Sequence, residues 1–261
     1  VCITNEDSEV NSMDKIIPLE QIVDRLRDGM SIAIGGFAGV GGPLRCIQTI
    51  ADSGVKDLTL ICVANCHPFA AGRFDVAPLF ANRQVRKFIT AHNGTNPEAM
   101  EQCRKGELEV EFFPMGTWIE KLRAGGAGLG GVLTPTGVGT ETEEGKQKIS
   151  VHGRDYLLEV ALRADLAFIK GFRADRLGNI QYRRVAMNTN TVVATAADCT
   201  IAEVNEIVEI GAIEPEQVGT PGLFIQSVVQ GYTLAEQEAV FQELWTRGGI
   251  LKPELQPAGS R

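Results

Sequence analysis

The stretch Ser31-Ile32-Ala33-Ile34-Gly35-Gly36-Phe37-Ala38-Gly39-Val40-Gly41-Gly42-Pro43 decides how this chain is read. Ser31 to Ile34 has the composition of a buried strand. It empties into glycines, and a helix starts at Pro43, with Leu44, Ile47, Ile50 and Ala51 on one face and Gly54 closing it. Glycine lets the backbone turn sharply and approach a ligand closely. The free N–H groups at the start of the helix favour a phosphate, a pyrophosphate or a carboxylate. No Gly-Lys-Ser/Thr follows, so this is not a P-loop. Leu44 stands where a dinucleotide fingerprint needs its third glycine. On spacing alone, ligand binding and a purely structural turn are equally supported.

Outward from this stretch, strands and helices alternate. Leu19, Ile22, Val23 and Leu26 recur at helical spacing after Pro18, with Gly29 beyond the end. Leu58 to Ala64 is an apolar run expected of a strand buried on both faces. Val85 to Ala91 and Glu107 to Phe113 read as strands, with Pro97 to Lys105 as the helix between them. Gly125 to Gly139 reads as loops and short strands. Leu166 to Ile169, Thr191 to Ala196 and Leu223 to Val229 supply the later strands, and Thr233 to Trp245 has helical spacing. The fold class is therefore α/β, an open, mainly parallel sheet with helices on both faces and a helical C-terminal extension. One domain over 13–230 and an extension over 231–261 are expected, with Met13 a candidate initiator.

The net charge of -8 opposes a nucleic-acid or anionic-membrane partner, because both need a positive surface. No apolar run reaches the roughly 18 residues of a membrane span. With no export signal visible, the six cysteines (Cys2, Cys46, Cys62, Cys66, Cys103, Cys199) read as reduced thiols of a cytoplasmic protein. Cys62, Cys66 and His67 lack a second ligand pair, so packed thiols are favoured over a metal. His92, beside Asn93-Gly94-Thr95-Asn96 at a strand end, lines a site or ends a turn. His152 reads as a solvated loop residue. Arg183-Arg184 reads first as a surface charge pair and second as a contact for a phosphate or a partner.

Pro114-Met115-Gly116-Thr117-Trp118-Ile119-Glu120-Lys121-Leu122-Arg123-Ala124-Gly125-Gly126-Ala127-Gly128-Leu129-Gly130-Gly131, continued by Thr134 to Thr140, resembles a signature of family I CoA-transferase alpha subunits. Gly35-Gly36-Phe37, Gly94 to Glu98, Arg163 to Ala167, Ala174 to Asn179 and Glu203 to Val208 also match, in order, from about Pro18 to Val229. The resemblance is greatest to acetate/acetoacetate CoA-transferase alpha subunits. It implies coenzyme A or an acyl-CoA as substrate, and no permanently bound cofactor or metal. It implies a CoA site at Gly35, Gly36, Phe37, Ala38, Gly39, Val40 and Gly41. It further implies a separate beta subunit, in a heterotetramer or larger assembly, that supplies the glutamate nucleophile of a ping-pong reaction. No catalytic nucleophile is then expected here, and Glu98, Glu120 and Glu141 read as structural.

Three departures stand out. Met115 replaces a common glutamine whose amide can serve the oxyanion, and a methionine offers no donor. The segment after Leu60 runs about four residues longer than in similar chains, which weakens the carry-over of an acyl-site asparagine to Asn65. Met187-Asn188-Thr189-Asn190-Thr191 keeps only the two asparagines of an Arg-Asn-Phe-Asn-Pro-like piece. Asn65, His92, Met115 and Gly116 are the expected acyl-pocket and oxyanion neighbourhood, with an acyl specificity other than acetate or acetoacetate. The rival readings are an acyl-CoA hydrolase or decarboxylase on the same fold, and a non-catalytic ligand-sensing module.

Overall fold

The computed structural model describes residues 14–64 and 74–249. Its centre is strand β1 (Ser31–Ile34). On one side lie β2 (Leu58–Ile61), β3 (Val85–Thr90) and β4 (Glu109–Phe112), all parallel. Three further strands precede the other flank in sequence and stand apart: β5 (Gly131–Thr134), β6 (Lys148–Val151) and β7 (Arg154–Val160) form an antiparallel sheet in the order β5-β7-β6. The chain then returns to the other side of β1 through β8 (Ala164–Asp175), its short antiparallel partner β9 (Ile180–Gln181), β10 (Ala197–Val208) and β11 (Ser227–Gln230). The main sheet reads β11-β10-β8-β1-β2-β3-β4.

Alternation along the strands sends residues to two cores. Ile32, Ile34, Leu58, Leu60, Phe88 and Phe168 face one side. There they meet helices α1 (Leu44–Ser53), α2 (Ala77–Ala81) and α3 (Pro97–Arg104). Ala33, Ile61, Ile89, Ala167 and Ile169 face the other side, against α4 (Met115–Gly126) and α5 (Asn190–Val193). Helices thus cover both faces of a mainly parallel sheet, as expected. The α4 helix carries Trp118 and Leu122 one turn apart, both fully buried, and Trp118 donates its indole N–H to the Ile89 carbonyl at 3.2 Å. The small sheet is tied to α4 by the buried Glu159, which meets Lys121 at 3.3 Å and Lys146 at 2.6 Å. A last helix, α6 (Leu234–Arg247), starts with a capping box between Thr233 and Glu236.

Two expectations need correction. Thr191 to Ala196 is not a strand: the turn of α5 runs through it, with Val193 and Ala194 donating to the carbonyls of Thr189 and Asn190. Short apolar, β-branched runs do not distinguish a strand from a buried helical turn. The real strand is the more polar β10 that follows, paired with β8 from Ala197↔Ala164 to Val208↔Asp175. The first helix is a 3-10 helix over Leu19–Arg25 that buries only Ile22, while Val23 is 41% exposed.

Candidate functional site

Chain order reverses at the boundary between β1 and β8. From β1 the chain steps outward to β4, then crosses back to build β8, β10 and β11. In open α/β sheets the crevice at such a reversal, beyond the carboxyl ends of the strands, is where ligands bind. The glycine stretch leaves β1 there. Beside it lie Lys170 to Phe172 of β8, just beyond the Ile34↔Phe168 pair, and Glu203 of β10, which pairs with Lys170.

The stretch forms a tight hairpin. Phe37 and Val40 exchange N–H···O bonds of 3.0 Å, and the two residues between them, Ala38 and Gly39, have φ of 48° and 83°. Both central residues in the left-handed region define a type I′ turn. Phe37 projects from it, 43% exposed. The hairpin rests on Asn188, Thr189 and Asn190. Asn188 donates to the Val40 carbonyl at 2.8 Å, and the Thr189 hydroxyl accepts from the Gly36 N–H at 3.0 Å. Asn190 donates to the Gly41 and Ala186 carbonyls at 2.9 and 2.8 Å and accepts from the Lys170 N–H at 3.0 Å. A Cβ at Gly35 would lie 2.0 Å from Asn190 Oδ1, so only glycine fits above this side chain.

A carboxylate occupies the start of α1, as the sequence leads one to expect, but it is the chain's own. Glu203 Oε2 accepts from the Arg45 and Cys46 N–H groups, each at 2.9 Å. That helix end is therefore closed to an outside anion. Glu203 is 0% exposed, and its Oε1 has no hydrogen-bond partner among the described residues. Burial raises its pKa against the pull of Lys170 and the amides. Burial also lowers Lys170 to about 8 and, with the Glu203 charge, drives the Cys46 thiol well up. Under the hairpin, burial lifts Asp75 to about 7 although the Gly39 and Val76 N–H groups favour its charged form.

The other expected residues lie farther along the same rim. His92 follows β3, bridged to Ala64. Met115 and Gly116 open α4 after β4; Met115 is 48% exposed, and Gly116 lines a recess of about 450 Å³ with Thr117, Glu120 and Thr134. Two strands separate β4 from the hairpin strand. The recess at Gly116 is lined by other residues than the cavity that Val40 and Gly41 of the hairpin line. Asn65, Cys66 and His67 lie outside the described residues. Glu98 accepts from Gln102 at 2.9 Å, and Glu120 pairs with Arg123 at 3.1 Å.

Lys170 and Glu203 were not singled out from the sequence. Their signal was a charge inside an apolar strand, which is almost never fully buried without a partner. Arg183 and Arg184 also belong here: they line a cavity of about 310 Å³ with Gly41 and Lys170. Among the described residues no group of three His, Cys, Asp or Glu side chains is placed to hold a metal ion, and no helix is long and apolar enough to cross a membrane.

The model of the family described as Coenzyme A transferase matches residues 17–231. The chain is 47% identical over 215 residues to the acetate CoA-transferase subunit alpha of Escherichia coli (strain K12), covering 82% of this chain and 96% of that one. It is 42% identical over 216 residues to the acetoacetyl-CoA:acetate/butyrate CoA transferase alpha subunit of Clostridium acetobutylicum, covering 83% and 97%. Its fold is that of an acyl-CoA transferase apoenzyme from Escherichia coli O157:H7, with a TM-score of 0.77 at 20% identity over 84% of this chain. The matched part is 47% of that solved chain, so this chain spans about half of its length. With a family model covering most of its residues and full-length relatives above 40% identity, this chain belongs to the coenzyme A transferase family.

Proposed function

We propose that this chain is the alpha subunit of an enzyme that moves coenzyme A between a short-chain acyl-CoA and a carboxylate. It works with a separate beta subunit, in a heterotetramer or larger assembly, in the cytoplasm. The observation that carries the reading is the glycine hairpin of a coenzyme A transferase chain standing at the reversal point of its sheet. Residues Gly35 to Gly41 are the CoA-facing surface in this reading; His92, Met115, Gly116 and Asn65 belong to the acyl side.

The reaction begins when a glutamate of the beta subunit attacks the thioester carbonyl. The C–S bond breaks, the thiolate of CoA leaves, and an acyl-glutamyl anhydride remains. The thiolate then attacks the glutamyl carbonyl, releasing the first acid and leaving a glutamyl-CoA thioester. The second acid reverses these steps and departs as its CoA ester. An external glutamate fits the carboxylates near the hairpin, which are all engaged. Glu203 holds the α1 amides, Asp75 takes N–H groups of Gly39 and Val76, and Glu238 pairs with Arg183 at 3.6 Å. The chain's own part is to hold the CoA ester and shield it from water. Each tetrahedral intermediate needs an oxyanion donor, and Met115 offers none, which favours an acyl group other than acetate or acetoacetate.

The test is CoA exchange between acyl-CoAs and a panel of carboxylates, with the chain alone and with its co-purifying beta subunit. Exchange with ping-pong kinetics is expected only for the pair. Full activity of the isolated chain would refute the external nucleophile. Thioester loss without a new thioester would favour the hydrolase or decarboxylase reading that Met115 keeps in play.

A further inference from the structure

Helix α6 begins past residue 231, where the match to the family ends. None of its residues is fully buried, yet it carries two large aromatics. Phe241 and Trp245 lie 5.6 Å apart, and Phe241 meets Phe74 edge-on at 5.4 Å. A surface helix usually sinks its aromatic stripe into a core. Here Phe241 and Trp245 instead wall a cavity of about 310 Å³, a size typical of small-ligand sites.

The same cavity is lined by Lys170, Arg183 and Arg184 and by Gly41 of the hairpin. The one acidic side chain in the lining is Glu238, held by Arg183. Lys170 is countered by the buried Glu203 and Arg183 by Glu238, so Arg184 leaves the lining net positive in a chain of net charge -8. Arg184 has no ion pair among those found in the described residues, and its backbone is held at φ 55°. Fatty acyl chains would leave the cations unmatched, and small carboxylates would leave the rings uncovered. A planar aromatic ring bearing phosphates satisfies both kinds of lining residue: rings stack on rings, and guanidinium groups bind phosphate in a fork.

We infer that this cavity takes the adenine nucleotide end of coenzyme A, with the purine against Phe241 and Trp245 and the phosphates toward Arg183 and Arg184; the inference rests on the CoA-transferase reading above. The α6 segment then adds a nucleotide clamp beside the hairpin, outside the part of the chain that the family model matches.

Tryptophan fluorescence provides the test, because Trp118 is fully buried and Trp245 is not. The full chain is titrated with adenosine 3′,5′-bisphosphate, and with phenylacetate as an apolar anion lacking phosphate. A saturable quench by the nucleotide, absent with phenylacetate and lost in Trp245→Phe, is expected. Arg184→Gly keeps the left-handed backbone without strain and should weaken nucleotide binding by calorimetry about tenfold, the loss of one charge-assisted contact. No saturable quench, a quench by phenylacetate alone, or unchanged binding in Arg184→Gly would overturn the inference. The two readings separate cleanly. If the nucleotide binds but the chain with its beta subunit transfers no CoA, the cavity stands and the transferase reading falls. If transfer proceeds and neither variant moves the KM for acyl-CoA, the cavity assignment falls alone.

Discussion

Glu203 Oε2 stands 2.9 Å from the backbone nitrogen of Cys46, so a side chain from the middle of β10 caps the first turn of α1. The same oxygen takes the Arg45 N–H, and Lys170 on the neighbouring strand acts on Glu203 electrostatically. Removing the carboxylate strips two orphan amides and a buried ammonium of their counter-charge together. Glu203→Ala should therefore destabilise the fold by about 3 kcal/mol, within the range for breaking a buried charged contact. Glu203→Gln, which keeps an acceptor oxygen, should cost clearly less. Urea midpoints at constant m-value measure both, and equal midpoints for wild type and Glu203→Ala would contradict the capping role.

Asp75 sets a pH dependence of known sign. Its carboxyl titrates at about 7 in the fold and near 4 in an unfolded chain. Between those values the folded state holds a proton that the unfolded state has released. Stability from this group is therefore greatest below about pH 4 and falls as pH rises towards about 7. Asp75→Asn keeps the shape and removes the titration, so its stability should fall less than wild type over that window. Parallel denaturation series across the window show the difference.

Gly35 and Asn190 should behave as a coupled pair. Gly35→Ala would drive a methyl to 2.0 Å from Asn190 Oδ1, and Asn190 cannot yield without losing the Lys170, Gly41 and Ala186 bonds. A loss of about 2–3 kcal/mol is expected for Gly35→Ala, in the range of overpacked sites. In Asn190→Ala the space opens, so adding Gly35→Ala should cost about 1 kcal/mol less than it does in wild type. A double-mutant cycle on thermal or urea stability reads this coupling.

Met115 is an exposed first residue of α4, and a substitution there should leave stability within about 0.5 kcal/mol. If an amide donor at this position serves the oxyanion, Met115→Gln should raise kcat for acetate by about tenfold to a hundredfold in the complex with the beta subunit. The expected signature is a kcat effect larger than the KM effect. An unchanged rate for every acid in the panel would remove Met115 from the acyl site.

The sheet and its layers were legible in the sequence because buried parallel strands are short apolar runs and the helices between them carry apolar residues at 3.6-residue spacing. The strand–glycine–helix unit that the sequence predicts at residues 31–54 matches the structure to within a residue of each boundary. The extended reading of residues 191–196 failed because a buried helical turn and a buried strand share one apolar signature. Strand β10 carries no local strand signal because Asp198, Thr200, Glu203 and Asn205 interrupt its apolar residues, and only pairing with β8 makes it a strand.

By itself the sequence determined the layered fold, the glycine turn and the family resemblance, since each is written in local composition and ordered motifs. Tertiary structure alone decided three things: that Glu203 and not a ligand fills the start of α1, that Asn190 requires glycine at position 35, and that α6 closes a basic, aromatic cavity against Arg183 and Arg184. Arg45 and Glu203 stand 158 positions apart, Gly35 and Asn190 155, and Arg183 and Glu238 55. Nothing in local propensity encodes such pairs; they follow from which strands become neighbours and in what register.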